Sequence, residues 1–211
     1  MNCYQNYILP YFINGICSSS PITKQREKIV PLAKGEVLEI GIGSGLNLPF
    51  YDESKVNKIW GLEPYEGMRK LAEKKIKKTK LNVEFIDLPG EEIPLPSSSV
   101  DTVLVTYSLC TISDVYLALE GMRRVLKPNG KLLFSEHGLA PDRNVRIWQE
   151  RLNPCWSKIA GGCNLNKNIP QIINTAGFQI EGGGEMYIPG MRFISYNYLG
   201  QRCNSMNIKI F

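Results

Sequence analysis

The segment Val37-Leu38-Glu39-Ile40-Gly41-Ile42-Gly43-Ser44-Gly45 constrains this chain more than any other. It reads as a short buried strand running directly into a glycine-rich turn. Glycine lacks a Cβ, so the backbone can take φ > 0 there and a ligand can lie against it. A helix starting after such a turn would aim unsatisfied N–H groups and a positive dipole end at that ligand. Further on, a second apolar strand ends in an acid, Ile59-Trp60-Gly61-Leu62-Glu63. A carboxylate at that place can accept hydrogen bonds from both hydroxyls of a ribose. The two strands together predict a nucleotide-like site. The alternative is a tight strand-to-helix turn that holds no ligand.

The spacing narrows the nucleotide. A dinucleotide turn reads GxGxxG, and its third glycine lets helix and strand pack closely. Here the glycines fall at Gly41, Gly43 and Gly45, and Leu46 stands where that third glycine belongs. Glu39, two residues before the first glycine, would repel a diphosphate. It suits a ligand carrying an ammonium and a sulfonium, and S-adenosylmethionine carries both. No GK[ST] follows the turn, so a P-loop is excluded.

Length and composition add outer bounds. A chain of 211 residues is long enough for one domain with a full core, read here as residues 1–211. The net charge of +5 is a mild excess, and much of it lies between Arg69 and Lys80. Leu71, Ala72 and Ile76 recur there at helical spacing, so those lysines read as a solvated helix face and nucleic acid is disfavoured as a partner. The six cysteines form no CxxC pair and no His/Cys spacing suited to zinc, so no metal is expected. A reduced, cytoplasmic setting follows. Residues 1–24 begin with an aromatic and aliphatic stretch that lacks the basic start of a signal peptide. Pro10, Asn14 and Gly15 interrupt it too soon for a membrane span. It reads as a lid over the site, with contact to a membrane surface as the alternative.

Strand patterns alternate with helical ones, which predicts an α/β fold: a doubly wound, mostly parallel sheet of seven strands with helices on both faces. Strands are expected at 37–40, 59–63, 83–86, 100–105, 131–135, 178–188 and 192–200. Helices are expected at 64–80, 115–126, 142–159 and 167–175, with a turn at Lys127-Pro128-Asn129-Gly130. Ligands of such sheets bind beyond the carboxyl ends of the strands. Glu39–Gly45, Glu63, Gly90–Glu91, Thr106–Cys110 and Glu136–Gly138 should therefore share one crevice.

In order, VLEIGIGSG, GLEP, GEEIPLPSSSVD, RRVLKPNGKLLF and EHG resemble the class I S-adenosylmethionine-dependent methyltransferases, in the small-molecule branch related to quinone-biosynthesis enzymes. The phrase WQERLNPCWSKIAGGCNLN resembles a narrower group, described as thiol S-methyltransferases or phosphatidylethanolamine N-methyltransferase-like proteins. The resemblance implies a Rossmann-like methyltransferase fold whose last strand is antiparallel. It implies that Gly41, Gly43 and Gly45 face the methionine part of the cofactor, with Glu39 near its ammonium. Glu63 would take the ribose, with Pro64 and Met68 beside the adenosine. Gly90 and Glu91 would line the adenine, and Thr106 to Leu109 would form the floor beneath the methyl group. Many relatives carry an Asp where this chain has Pro89, which leaves Asp87 as the nearby acid for the adenine amino group.

His137, the only histidine, follows the fifth strand at the crevice. A neutral imidazole there can accept a proton from a thiol or hydroxyl, and a structural histidine bound to its loop is the alternative. Glu136 is read as orienting His137 or as a loop carboxylate. Tyr107 follows the fourth strand as a second candidate for the chemistry, while Cys110 reads as a small buried residue. Residues 139–170 form the expected substrate cap, where Trp148 and Trp156 share one helical stripe with Arg151 and Cys163 nearby. Tyr4, Tyr7 and Tyr11 are candidates to close the site from above. Thr106-Tyr107-Ser108-Leu109 differs from the NPPY or DPPY of nucleobase amine methylases. The expected reaction is methyl transfer to a small, apolar acceptor: a thiol, amine, quinol or lipid-like molecule. A non-catalytic S-adenosylmethionine-binding module or assembly factor is the rival. The sequence is silent on oligomeric state.

Overall fold

The computed structural model describes residues 8–204. Two helices open it, α1 (Leu9–Cys17) and α2 (Ser20–Ile29). The sheet and its crossovers follow: β1 (Gly35–Ile40), β2 (Val56–Leu62), α3 (Glu66–Ile76), β3 (Val83–Ile86), β4 (Val100–Thr106), α4 (Val115–Val125) and β5 (Leu126–His137). The cap helix α5 (Arg143–Ile159), the short α6 (Ile169–Thr175), β6 (Phe178–Tyr187) and β7 (Tyr196–Asn204) complete it.

The seven strands stand in the order β3-β2-β1-β4-β5-β7-β6. The first five are parallel, and β7 runs antiparallel to both β5 and β6. The chain reverses its direction of winding between β1 and β4. That is the switch point where open α/β sheets leave a crevice. Alternation along the central strands explains why they are continuously apolar. Leu38, Ile40, Val103, Val105, Leu132 and Phe134 point into one core, under α4 and α6. Val37, Leu104 and Leu133 point into the other, under Ile29 and Val30 of the N-terminal segment. Strands covered on both faces have no solvent side to reserve for polar residues.

Three expectations are corrected. No α-helix follows the glycine turn, only a single turn of 3-10 helix at Leu48–Phe50. The chain leaves the helical path at Tyr51, which is extended, buried, and donates its hydroxyl hydrogen to Glu39 Oε2 at 2.6 Å. The positive dipole end expected behind the turn is therefore missing. Second, β5 already pairs at Leu126 with Val100, and the register then shifts so that Lys131 faces Thr102. The Lys127–Gly130 turn is thus an excursion inside a strand rather than its boundary. Third, the final strand runs from Tyr196 to Asn204, several residues beyond the expected 192–200.

Gln149 pins the cap to the sheet. It is fully buried, and its Oε1 accepts from Ala140 N–H at 3.0 Å. Its Nε2 lies 2.9 Å from Gly138 O, 3.0 Å from Leu165 O and 3.1 Å from Phe193 O. One amide thereby joins α5 to the end of β5, to the loop after α5 and to the β6–β7 connection. Gln149→Leu would strand several buried polar groups, each costing about 1–3 kcal/mol when unpaired. Urea denaturation of this variant should show stability lowered by roughly 3 kcal/mol or more.

Candidate functional site

A cavity of about 640 Å³ opens at the switch point, within the range of ligand-sized sites. Its walls come from the glycine turn, the ends of β2, β4 and β5, helix α1, the loop after α5 and the β6–β7 connection. Glu39, Gly41, Gly43, Glu63, Pro64, Met68, Gly90, Glu91, Thr106, Tyr107 and His137 all line it. Gly45 does not share that wall. It has φ +71°, and a Cβ there would lie 2.7 Å from Leu48 and 3.3 Å from the Ala72 backbone. Its backbone conformation and its packing against Leu48 and α3 by themselves call for a glycine.

Glu63 is 5% exposed and buckles the turn to its own strand. Gly43 N–H donates to Oε2 at 3.1 Å and Tyr65 N–H to Oε1 at 3.0 Å. A carboxylate has about four lone-pair sites, so accepting capacity remains for a ligand. Burial raises its pKa to about 7, against the lowering effect of those two N–H groups.

Glu39 has a different environment from the one expected. It is 1% exposed, and its carboxylate accepts from Asn47 Nδ2 at 2.8 Å as well as from Tyr51. Its side chain serves to hold the turn, since β1's alternation aims it at the same face as Val37, toward Tyr51. Burial raises its pKa to about 7. Asn47 Nδ2 also donates to Thr106 Oγ1 at 2.9 Å, and Asn47 Oδ1 accepts from Arg26 Nε at 3.0 Å. Arg26 is itself buried, donates to Cys17 O at 2.8 Å and lies 5.1 Å over the Tyr107 ring. No spacing in the sequence singles out Arg26 or Asn47.

The adenine-side residues are partly committed elsewhere. Glu91 Oε1 accepts from the N–H groups of Ser113 and Asp114, just before α4. Asp87 is exposed and bonded to Arg69 by both carboxylate oxygens, so it is an ion-pair partner rather than a base contact. Gly90 packs under Ile112, where a Cβ would come within 2.8 Å.

Tyr107 adopts φ +54°, a strained value for a residue with a Cβ. Its hydroxyl donates to Asn197 Oδ1 at 2.6 Å, and its ring stacks on His137 with centroids 6.5 Å apart. Burial pushes its phenol well above the ordinary value. That favours a positioning role over proton transfer. Glu136 is fully buried, and its Oε1 accepts from Ser108 and Leu109 N–H at 2.7 and 3.0 Å. It shapes the loop after β4.

His137 Nε2 lies 3.2 Å from Cys163 Sγ, while its Nδ1 is buried without a partner. Cys110 joins them, and the ligand atoms of the three residues lie within 4.8 Å of one another. A hydrogen bond from Cys163, aided by His137, holds Cys110 well below the usual thiol value despite its burial. Cys163 is raised by the same bond. The sequence hid this cluster because its members occupy three distant segments.

The cap divides its two tryptophans. Trp156 lines the cavity, whereas Trp148 is 56% exposed beside Arg151, so they share no common wall. From α1, Leu9, Ile13 and Cys17 face the cavity, and Ser44 Oγ bonds to Asn14 Oδ1. Tyr11 is 65% exposed and does not close the site, and Tyr4 and Tyr7 lie outside the described residues.

The strand order, the glycine turn at the switch point and the acid ending β2 are those of the Rossmann-like fold of methyltransferases. Residues 38–134 match the family described as a methyltransferase domain. It is 34% identical over 146 residues to the thiol S-methyltransferase TMT1B of Rattus norvegicus, covering 67% of this chain and 59% of that protein. Against the same-named protein of Homo sapiens the identity is 33% over 152 residues, covering 69% and 62%. The chain thus spans about three-fifths of the length of these relatives. A methyltransferase solved in complex with a Haloferax volcanii methyltransferase activator shares the fold, with a TM-score of 0.73 at 16% identity over 97% of this chain and 98% of that one.

Both Glu39 and Glu63 keep their protons in the native chain up to about pH 7, against an ordinary value of 4.5. A raised native pKa gives stability that is present below the unfolded value and lost as pH rises through the native one. The ligand-free chain should therefore lose about 1.4 kcal/mol per pH unit for each group between those limits. Denaturant titrations across that window should show the decline, and Glu63→Gln should remove its share while leaving that of Glu39.

Proposed function

We propose that this chain transfers the methyl group of S-adenosylmethionine to a small thiol. The observation that carries the reading is Glu63, anchored by Gly43 and Tyr65 N–H with accepting capacity left over, at the wall of the cavity. The residues fit the cofactor: Glu63 can take the ribose hydroxyls, and Pro64 and Met68 flank the adenosine position. Gly41 and Gly43 line the cavity at φ +67° and +56°, a backbone turn that glycine takes without strain, and would lie along the methionine part. Bound there, the cofactor supplies an electrophilic methyl on a positively charged sulfur.

The chain's own contribution is placement and a dry site. Ile13, Ile16, Ile112, Trp156, Ile188 and Met191 make the remaining walls largely apolar. Holding the acceptor in line with the methyl supplies much of the acceleration, with effective molarities of about 10⁵ M or more available to such steps. Tyr107 keeps the floor in position through Asn197. Activation of the thiol falls to the Cys110–His137–Cys163 side of the cavity. The α1 helix acts as the lid. Relatives at about a third identity are named thiol S-methyltransferases, which supports a thiol over an amine, a quinol or a lipid-like acceptor.

No described helix is long and apolar enough to cross a membrane. The free thiols of Cys17, Cys110, Cys155 and Cys163 support a reducing compartment, which we take to be the cytoplasm.

Incubation with S-adenosylmethionine and a panel of thiols, quinols and amines should release S-adenosylhomocysteine with thiols. Glu63→Ala should weaken cofactor binding by about 1–3 kcal/mol in calorimetry, the cost of leaving polar partners unpaired. Tight cofactor binding with no turnover on any acceptor would instead favour a binding module.

A further inference from the structure

We propose that Cys110, His137 and Cys163 form a zinc site whose open fourth position takes the acceptor thiol. The three residues come from the loop after β4, the end of β5 and the loop after α5. Their ligand atoms are buried and lie within 4.8 Å of one another. A tetrahedral zinc bound by sulfur and imidazole needs its ligand atoms about 3.5–3.8 Å apart. From a separation within 4.8 Å, closure by about 1 Å or less brings the set into that range. Two thiolates balance the charge of a divalent cation, and the imidazole stays neutral. The result is an electrically neutral buried cluster, where an unpaired thiolate would be costly. Two soft sulfurs and one imidazole suit zinc over magnesium or calcium, which take oxygen. Three protein ligands with one place left open is the arrangement of catalytic rather than structural zinc.

The surroundings already hold the ligands. Asn164 donates to Cys110 O through both its backbone N–H, at 2.9 Å, and its Nδ2, at 3.1 Å. That ties the Cys163 loop to the Cys110 loop. Thr111 Oγ1 sits 3.5 Å from Cys110 Sγ, placed to donate to a thiolate. Trp156 Nε1–H is buried with no oxygen or nitrogen partner, beside Cys163. A metal-bound Cys163 sulfur would satisfy it. All three ligands face the cavity shared with Gly41, Gly43 and Glu63, so the open position looks toward the methyl donor.

The inference rests on the thiol methyltransferase reading, and its step balances. The acceptor thiol gives its proton to water on binding as a thiolate. Its sulfur lone pair forms the new carbon–sulfur bond. The sulfonium carbon–sulfur bond breaks, and its electron pair remains on S-adenosylhomocysteine.

The test uses the reduced, chelator-treated chain titrated with Zn²⁺ and, separately, with Co²⁺. One equivalent of each should bind, with Co²⁺ giving thiolate-to-metal charge-transfer and tetrahedral d–d bands. Cys110→Ser, Cys163→Ser and His137→Gln should each weaken Zn²⁺ binding by roughly 100-fold or more, the upper end of what loss of an outer partner costs. Cys155→Ser, an exposed thiol, should change nothing. In the wild-type chain, Zn²⁺ should shield Cys110 and Cys163 from alkylation while leaving Cys155 reactive, a readout that needs no variant to fold. Absence of the bands together with unshielded Cys110 and Cys163 overturns the site. So does a Co²⁺ spectrum unchanged in the three ligand variants. S-adenosylmethionine binding, measured on the same samples, should persist without metal. Its failure in the wild-type chain would strike the methyltransferase reading and leave the metal result standing.

Discussion

The glycine turn that makes the site has no α-helix behind it, so its shape depends on one buried polar knot centred on Asn47. Its amide reaches Glu39 on β1 and Thr106 on β4, and its carbonyl oxygen takes the Arg26 guanidinium from α2. Those three bonds join the N-terminal helix pair to the two strands that flank the switch point. Buried polar groups of this kind are rigid when every partner is present and costly when one is missing. The knot therefore couples the order of the N-terminal segment to the shape of the turn. Tyr51 closes it from the far side by donating to Glu39.

A second set of polar contacts does the same for the opposite half of the cavity. Gln149 holds α5 against three different carbonyl groups, and Asn164 fastens the following loop to Cys110. Glu136 fixes the loop after β4 through two backbone N–H groups. The apolar cores on either face of the sheet make the platform. These side-chain amides and carboxylates decide where the variable segments lie on it. The consequence is a cavity with one half built by the glycine turn and the end of β2 and the other by the ends of β4 and β5 and the cap. In that second half, two sulfurs and an imidazole meet among apolar walls.

Much of the platform was legible from residue pattern. The continuous apolar runs at 100–105 and 131–135 required strands covered on both faces, because no solvent-facing alternation is present. The place of Glu63 at the cavity was legible too, since it ends a strand at the carboxyl edge of the sheet; its bonds to Gly43 and Tyr65 N–H were not. The packing around Gly45 was not legible, because a glycine needed for close packing and one needed for ligand approach look alike in a sequence. Here Leu48 and Ala72 crowd the space its Cβ would fill. The bond that Glu39 accepts from Tyr51 was not legible, because it depends on where the chain turns after Pro49. The helix expected after the turn failed for the same reason.

The sequence by itself determined the alternation of strand and helix, the crevice at the carboxyl ends and the acid that ends β2 at its wall. Each of these follows from local spacing and from what a backbone without Cβ atoms permits. Only the tertiary structure decided which distant side chains meet. Arg26 reaches Asn47 because α2 crosses over the turn. Cys110, His137 and Cys163 converge because β4, β5 and the cap loop end side by side. Such meetings depend on how strands are ordered and where loops are pinned, and no short-range periodicity records either.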